Sequence, residues 1–136
     1  MHLAKRVLAD MVARGQGRVL CTSSIAAALP GTFEAVCAAS KAFTLSSAEA
    51  LHPGSTETNF FHRADADMDD TKVGASEKDD PAQVAKQGFD ALLTVKDRVI
   101  AGSVKTKAQA AMTKVLPDTA TAEVHRGMAE PGSAKQ

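Results

Sequence analysis

Residues 18–24 read Arg-Val-Leu-Cys-Thr-Ser-Ser, and this stretch decides the fold class. A short apolar run, bounded by the turn Gly15-Gln16-Gly17 and by serines, predicts a strand over 18–23. Upstream, Leu3, Val7, Leu8 and Met11 recur at three- and four-residue spacing while Lys5, Arg6, Asp10 and Arg14 take other faces. That pattern predicts a helix over 3–14. Downstream, Pro30-Gly31 precedes a second helix over 33–51, rich in alanine and serine, with Val36, Phe43 and Leu45 as its larger apolar residues. His52-Pro53-Gly54 stops it, because proline lacks a donor and biases its predecessor away from the helical region.

The remainder continues the alternation. Residues 55–80 form a polar excursion anchored by Phe60, Phe61, Met68 and Val73, with a short helix over 60–66. Asp80 as N-cap, Pro81 at the first position and Gln83 in a capping box start a third helix, whose apolar side is Val84, Phe89, Leu92 and Leu93. A brief strand over 97–101 follows, then helices over 104–116 and 118–130 and a loose tail, 131–136. Strands alternating with helices predict an α/β fold, helix-rich, with two short strands in a single domain over 1–136. Two strands are few for a parallel sheet, which ordinarily has several.

Composition narrows the function. The chain has 136 residues with 16 basic and 16 acidic side chains, no tryptophan and no tyrosine. Of its apolar residues 26 are alanine, so the expected core is thin. A pI near 6.9 without a basic block gives no footprint for nucleic acid. No apolar run approaches the roughly 20 residues of a membrane span, and the N-terminus lacks a signal-peptide core; the expectation is a cytoplasmic protein. Cys21 and Cys37 are expected as free thiols, and no metal-ligand spacing accompanies them. Asp65, Asp67 and Asp69 imitate half of a calcium loop, but Asp70 and Ser76 stand where its glycine and final glutamate belong. His2, His52, His62 and His125 are scattered, and no Gly-x-Ser-x-Gly elbow supports a serine hydrolase.

The chemistry-bearing constellation is Thr22-Ser23-Ser24, then Cys37-Ala38-Ala39-Ser40-Lys41-Ala42-Phe43, then Pro53-Gly54-Ser55-Thr56-Glu57-Thr58. It resembles the second half of a short-chain dehydrogenase/reductase, over nearly the whole chain. In that family a serine follows the fifth strand, a Tyr-x-x-x-Lys pair follows about thirteen residues on, and a Pro-Gly loop with threonines closes over the nicotinamide. Ser24 stands thirteen residues before position 37, and Lys41 four after it. The resemblance implies an incomplete Rossmann-like, doubly wound fold and NAD(P)-dependent carbonyl–hydroxyl redox. By the same resemblance Ser24 polarises the carbonyl, Lys41 contacts cofactor ribose, and Pro53, Gly54, Thr56 and Thr58 flank the nicotinamide. It also implies oligomerisation, with a second copy or an intact homologue, through helices 3–14 and 34–51.

Three departures follow. Cys37 occupies the tyrosine position, and a thiol is too short to reach, from the same backbone site, the substrate oxygen that a phenol would reach. Lys41 beside it could lower its pKa toward a thiolate, but a small buried helix residue is the preferred reading. The nine glycines form no nucleotide-binding cluster, and the family's first half would lie before Met1. The stretch between the second helix and Pro53 leaves no room for the family's sixth strand. Without that strand, 18–23 and 97–101 cannot be sheet neighbours, and the expectation is a marginal or partly molten chain, inactive by itself.

Overall fold

A computed structural model describes residues 2–28, 34–47, 49–63, 70–94 and 98–135. Helix α1 (His2–Ala13) leads into strand β1 (Leu20–Thr22) and a 3-10 turn (Ile25–Ala28). Helix α2 (Ala35–Ser47) precedes strand β2 (Glu49–Pro53) and two short helices, α3 (Phe60–Arg63) and α4 (Lys72–Ala75). Helix α5 (Pro81–Leu93), strand β3 (Arg98–Ala101), helices α6 (Val104–Met112) and α7 (Asp118–Ala129) and a 3-10 turn (Ser133–Lys135) complete the chain. The fold is α/β.

The decisive difference from the sequence reading is β2. Residues 49–51 are not the end of the second helix; with His52 and Pro53 they form the middle strand of a parallel sheet ordered β1-β2-β3. Cys21 pairs with Ala50, and Leu51 with Val99. The sheet therefore has three strands, not two, and the objection that its outer strands could not be joined falls away. The physical reason is tertiary. Glu-Ala-Leu-His carries no β-branched residue, so local propensity favours helix, but strand pairing on both edges satisfies the backbone and overrides it. Buried Ala50, Leu51 and His52 fit a strand covered on both faces.

Other boundaries shift less. β1 is trimmed relative to 18–23, β3 covers 98–101 of the expected 97–101 with residue 97 outside the described residues, and α6 ends at Met112 where the helix was expected to reach 116. Of the short helix over 60–66, residues 60–63 are helical; 64–66, like the aspartates at 65, 67 and 69, lie outside the described residues. Asp80 caps α5 as expected, its carboxylate accepting from the Ala82 and Gln83 amides at 3.1 and 3.3 Å. Arg18 holds the other end of α5 by donating to the Leu92 and Leu93 carbonyls. The tail is not loose over Ser133–Lys135, where it folds back against residues 70–72.

The core is as thin as composition implies. Leu51, Val84 and Ala101 form its centre, with Leu20 and Val99 packed against them. Among the described residues, five of the eight buried apolar ones are alanines. Helix α5 closes one face of the sheet: a Cβ on Gly88 would stand 3.0 Å from a Leu51 methyl. Helix α1, by contrast, buries no residue.

Candidate functional site

The site is built where the parallel strands end. In open α/β sheets ligands bind beyond the carboxyl ends of the strands, where loops leave freely oriented groups. β1 ends at Thr22, and Ser23 continues the pairing by donating its amide to the Leu51 carbonyl at 2.8 Å. Ser23, 2% exposed, donates its hydroxyl to the Lys41 carbonyl at 2.8 Å. Lys41 in turn donates its Nζ to the Thr22 carbonyl at 3.1 Å. These reciprocal bonds fasten α2 to the end of β1 and bring Lys41 beside the segment that carries Ser24.

Ser24 opens the 3-10 turn. Its Oγ accepts from the Ala26 amide at 3.1 Å, and its carbonyl accepts from the Ala27 amide at 3.1 Å. The same carbonyl lies 3.0 Å from His52 Nδ1, so that nitrogen is the protonated one. His52 is buried, and its Nε2 has no hydrogen-bond partner among the described residues. Sequence reasoning passed over His52 as one of four scattered histidines; its place before Pro53-Gly54 was the available signal.

Cys37 lies one helical turn before Lys41 and is half-buried. Burial pushes its thiol up from the ordinary range, the Glu34 carboxylate pushes it further, and Lys41 only partly offsets them. The neutral thiol is thus favoured, in line with the preferred reading of position 37 as a small helix residue and against the thiolate that Lys41 alone would suggest. Glu34 also faces His125 of α7, Oε2 to Nε2 at 3.6 Å, with both side chains largely buried.

The loop over 53–58 leaves β2 and is fixed by a residue the sequence did not single out. Asp79 pairs with it through Asp79 N to Ser55 O at 2.7 Å and Glu57 N to Asp79 O at 2.9 Å. The Asp79 carboxylate accepts from the Ser103 amide at 2.9 Å and from Thr106 Oγ1 at 2.6 Å. Backbone from two strand ends crowds around it. A Cβ on Gly54 would meet Thr106 Cγ2 at 2.6 Å, and Gly102, at φ 137°, would drive one into Asp79 itself. Thr56 Oγ1 donates to the Gly54 carbonyl at 3.1 Å, and Thr58 Oγ1 accepts from the Phe60 amide at 3.3 Å.

Ser24 and Lys41 therefore lie at the β1 end, with Cys37 one helical turn before Lys41 on α2, while Pro53, Gly54, Thr56 and Thr58 lie on the β2 exit. A cavity of about 290 Å³ lies elsewhere, lined by Gln87, Asp90, Ala91, Thr94, Val99 and Lys107. A second, of about 320 Å³, is lined by Ala111, Met112, Val115 and Leu116. None of the candidate residues lines either. Among the described residues no three His, Cys, Asp or Glu side chains converge as a metal site, and no helix is long and apolar enough to cross a membrane. Comparison with protein-family models, with curated proteins and with solved structures returned no match to this chain.

Proposed function

We propose that this chain carries the substrate half of a short-chain dehydrogenase/reductase site on a Rossmann-like sheet, and that it does not turn over a carbonyl substrate by itself. The observation that carries the reading is the tie between Lys41 and the end of β1, with Ser24 two residues beyond the accepting carbonyl of Thr22. A strand between β1 and β3 adds support, because the family requires one there. In this reading the Ser24 hydroxyl polarises the substrate oxygen, Lys41 meets the cofactor ribose, and the loop over 53–58 flanks the nicotinamide. The free thiols Cys21 and Cys37 suit the cytoplasm.

The residues present do not fit a whole NAD(P). No glycine cluster cradles a pyrophosphate. Cys37 offers no phenol. Titration of the chain with NADPH and NADH, followed by nicotinamide fluorescence, is therefore expected to show no saturation in the micromolar range of a working site. Cys37→Tyr is expected to remain inactive toward aldehydes and ketones. Micromolar binding by the unmodified chain, or turnover by it, overturns the proposal.

A second reading, an oligomerisation module, is favoured by the helices assigned to it. Leu3, Leu8 and Val12 on α1 and Val36 and Phe43 on α2 are exposed, Val36 at 86%. Such side chains suit a helix–helix interface. Sedimentation equilibrium is expected to show self-association, or association with an intact reductase of the family. A monomer at high concentration under both conditions rejects this reading.

A further inference from the structure

Residues 70–72 are held by the far end of the chain. The Lys72 amide donates to Ser133 Oγ at 2.9 Å, the Ala134 amide donates to the Asp70 carbonyl at 3.0 Å, and Lys135 Nζ lies 3.1 Å from the Asp70 carboxylate. Ser133 is 4% exposed, and its hydroxyl also donates to the Met128 carbonyl at 3.4 Å. One buried hydroxyl thus joins the end of α7, the tail and the start of α4. Thr71, buried next to Lys72, caps α4 by accepting from the Gly74 amide at 3.0 Å.

Contacts continue from α4 to the candidate site. Lys78 donates to the Gly74 carbonyl at 2.8 Å and lies 5.2 Å from the centre of the buried Phe61 ring. The next residue is Asp79, which pairs with Ser55 and Glu57 in the loop over 53–58. Yet the tail brings no large apolar side chain to its contact, and Ala134 and Lys135 are exposed. A few hydrogen bonds and an exposed ion pair open more readily than a packed core.

We infer that the turn Ser133–Lys135 is a releasable strap. Docked, it orders α4 and, through residues 76–79, the loop over 53–58; released, it lets both open while the sheet stays folded. The device goes beyond the redox reading and stands whether or not that loop flanks a nicotinamide.

Hydrogen exchange measured by NMR on the full chain tests it. In Ser133→Ala the amides of Gly74, Ala75, Asp79 and Glu57 are expected to exchange roughly three- to tenfold faster, as loss of about one hydrogen bond implies. Lys135→Glu, which sets like charges against each other at Asp70, is expected to accelerate the same amides. In both variants the Ser23 amide, bonded to Leu51 in the sheet, keeps its protection. Acceleration confined to Lys72, or equal acceleration at Ser23, overturns the strap: the first denies coupling, and the second denies that opening is local.

Discussion

Replacing Asp79 by alanine is expected to lower folding stability by about 3 kcal/mol, read from the midpoint of urea unfolding. Asp79 is 7% exposed, and its carboxylate accepts from the Ser103 amide and the Thr106 hydroxyl. Hydrogen bonds to a buried charge are worth about 1.5–3 kcal/mol each. Alanine removes both acceptors: the Ser103 amide loses the carboxylate, and the buried Thr106 hydroxyl keeps only its 3.3 Å contact with Ser103 Oγ. A loss below about 1 kcal/mol would show that solvent replaces the carboxylate there.

The same residue sets a pH dependence. Burial acts to raise the Asp79 pKa, but hydrogen bonds from Thr106 and Ser103, with the charge of Lys105, outweigh it and hold the carboxyl below its ordinary value. Because the folded state binds the proton more weakly, the contribution is complete above the ordinary carboxylate range near 4. It is lost as pH falls through the lower folded value. The stability gap between the native chain and Asp79→Asn should therefore be constant above about pH 5 and shrink below about pH 4. A gap that widens on acidification contradicts this.

Leu51→Ala is expected to cost about 2–4 kcal/mol, measured by the same unfolding experiment. Leu51 packs with Val84 and Ala101, and α5 approaches it closely at Gly88. Its neighbours include Ala101 on β3 and Gly88 on α5, which are too small to swing in and fill a cavity. In so thin a core that loss is a large share of the total. Were residues 49–51 the exposed end of a helix instead, alanine there would be neutral or slightly stabilising. The sign of the effect thus discriminates the two placements of this segment.

Much of the fold was legible because its signals are local. The Asp80-Pro81 start of α5 is written in adjacent residues, since a cap bonds amides two and three positions away. The amphipathic spacing of α1 and the apolar run at β3 are equally short-range. Strand β2 was illegible for the opposite reason. Its backbone partners are Leu20 to Thr22 on one side and Arg98 to Ala101 on the other, and nothing within 49–53 announces them. The site divides the same way. The four-residue step from Cys37 to Lys41 put both on one helical face, and Lys41 does reach the end of β1. His52 and Asp79 were passed over because their partners lie far along the chain, at Ser24 and at Ser103 and Thr106.

By itself the sequence determined what no folding can alter: this chain has no phenol, and a thiol occupies position 37. Atoms absent from the chain cannot be supplied by packing, so proton transfer by tyrosine was excluded before any coordinate was known. Only the tertiary structure decided that 49–53 joins the sheet as its central strand, and that burial and Glu34 outweigh Lys41 in pushing the Cys37 thiol up. Both outcomes depend on what surrounds a residue: hydrogen-bond partners brought from distant strands in one case, and burial beside Glu34 in the other. Local propensity and pairwise spacing carry neither.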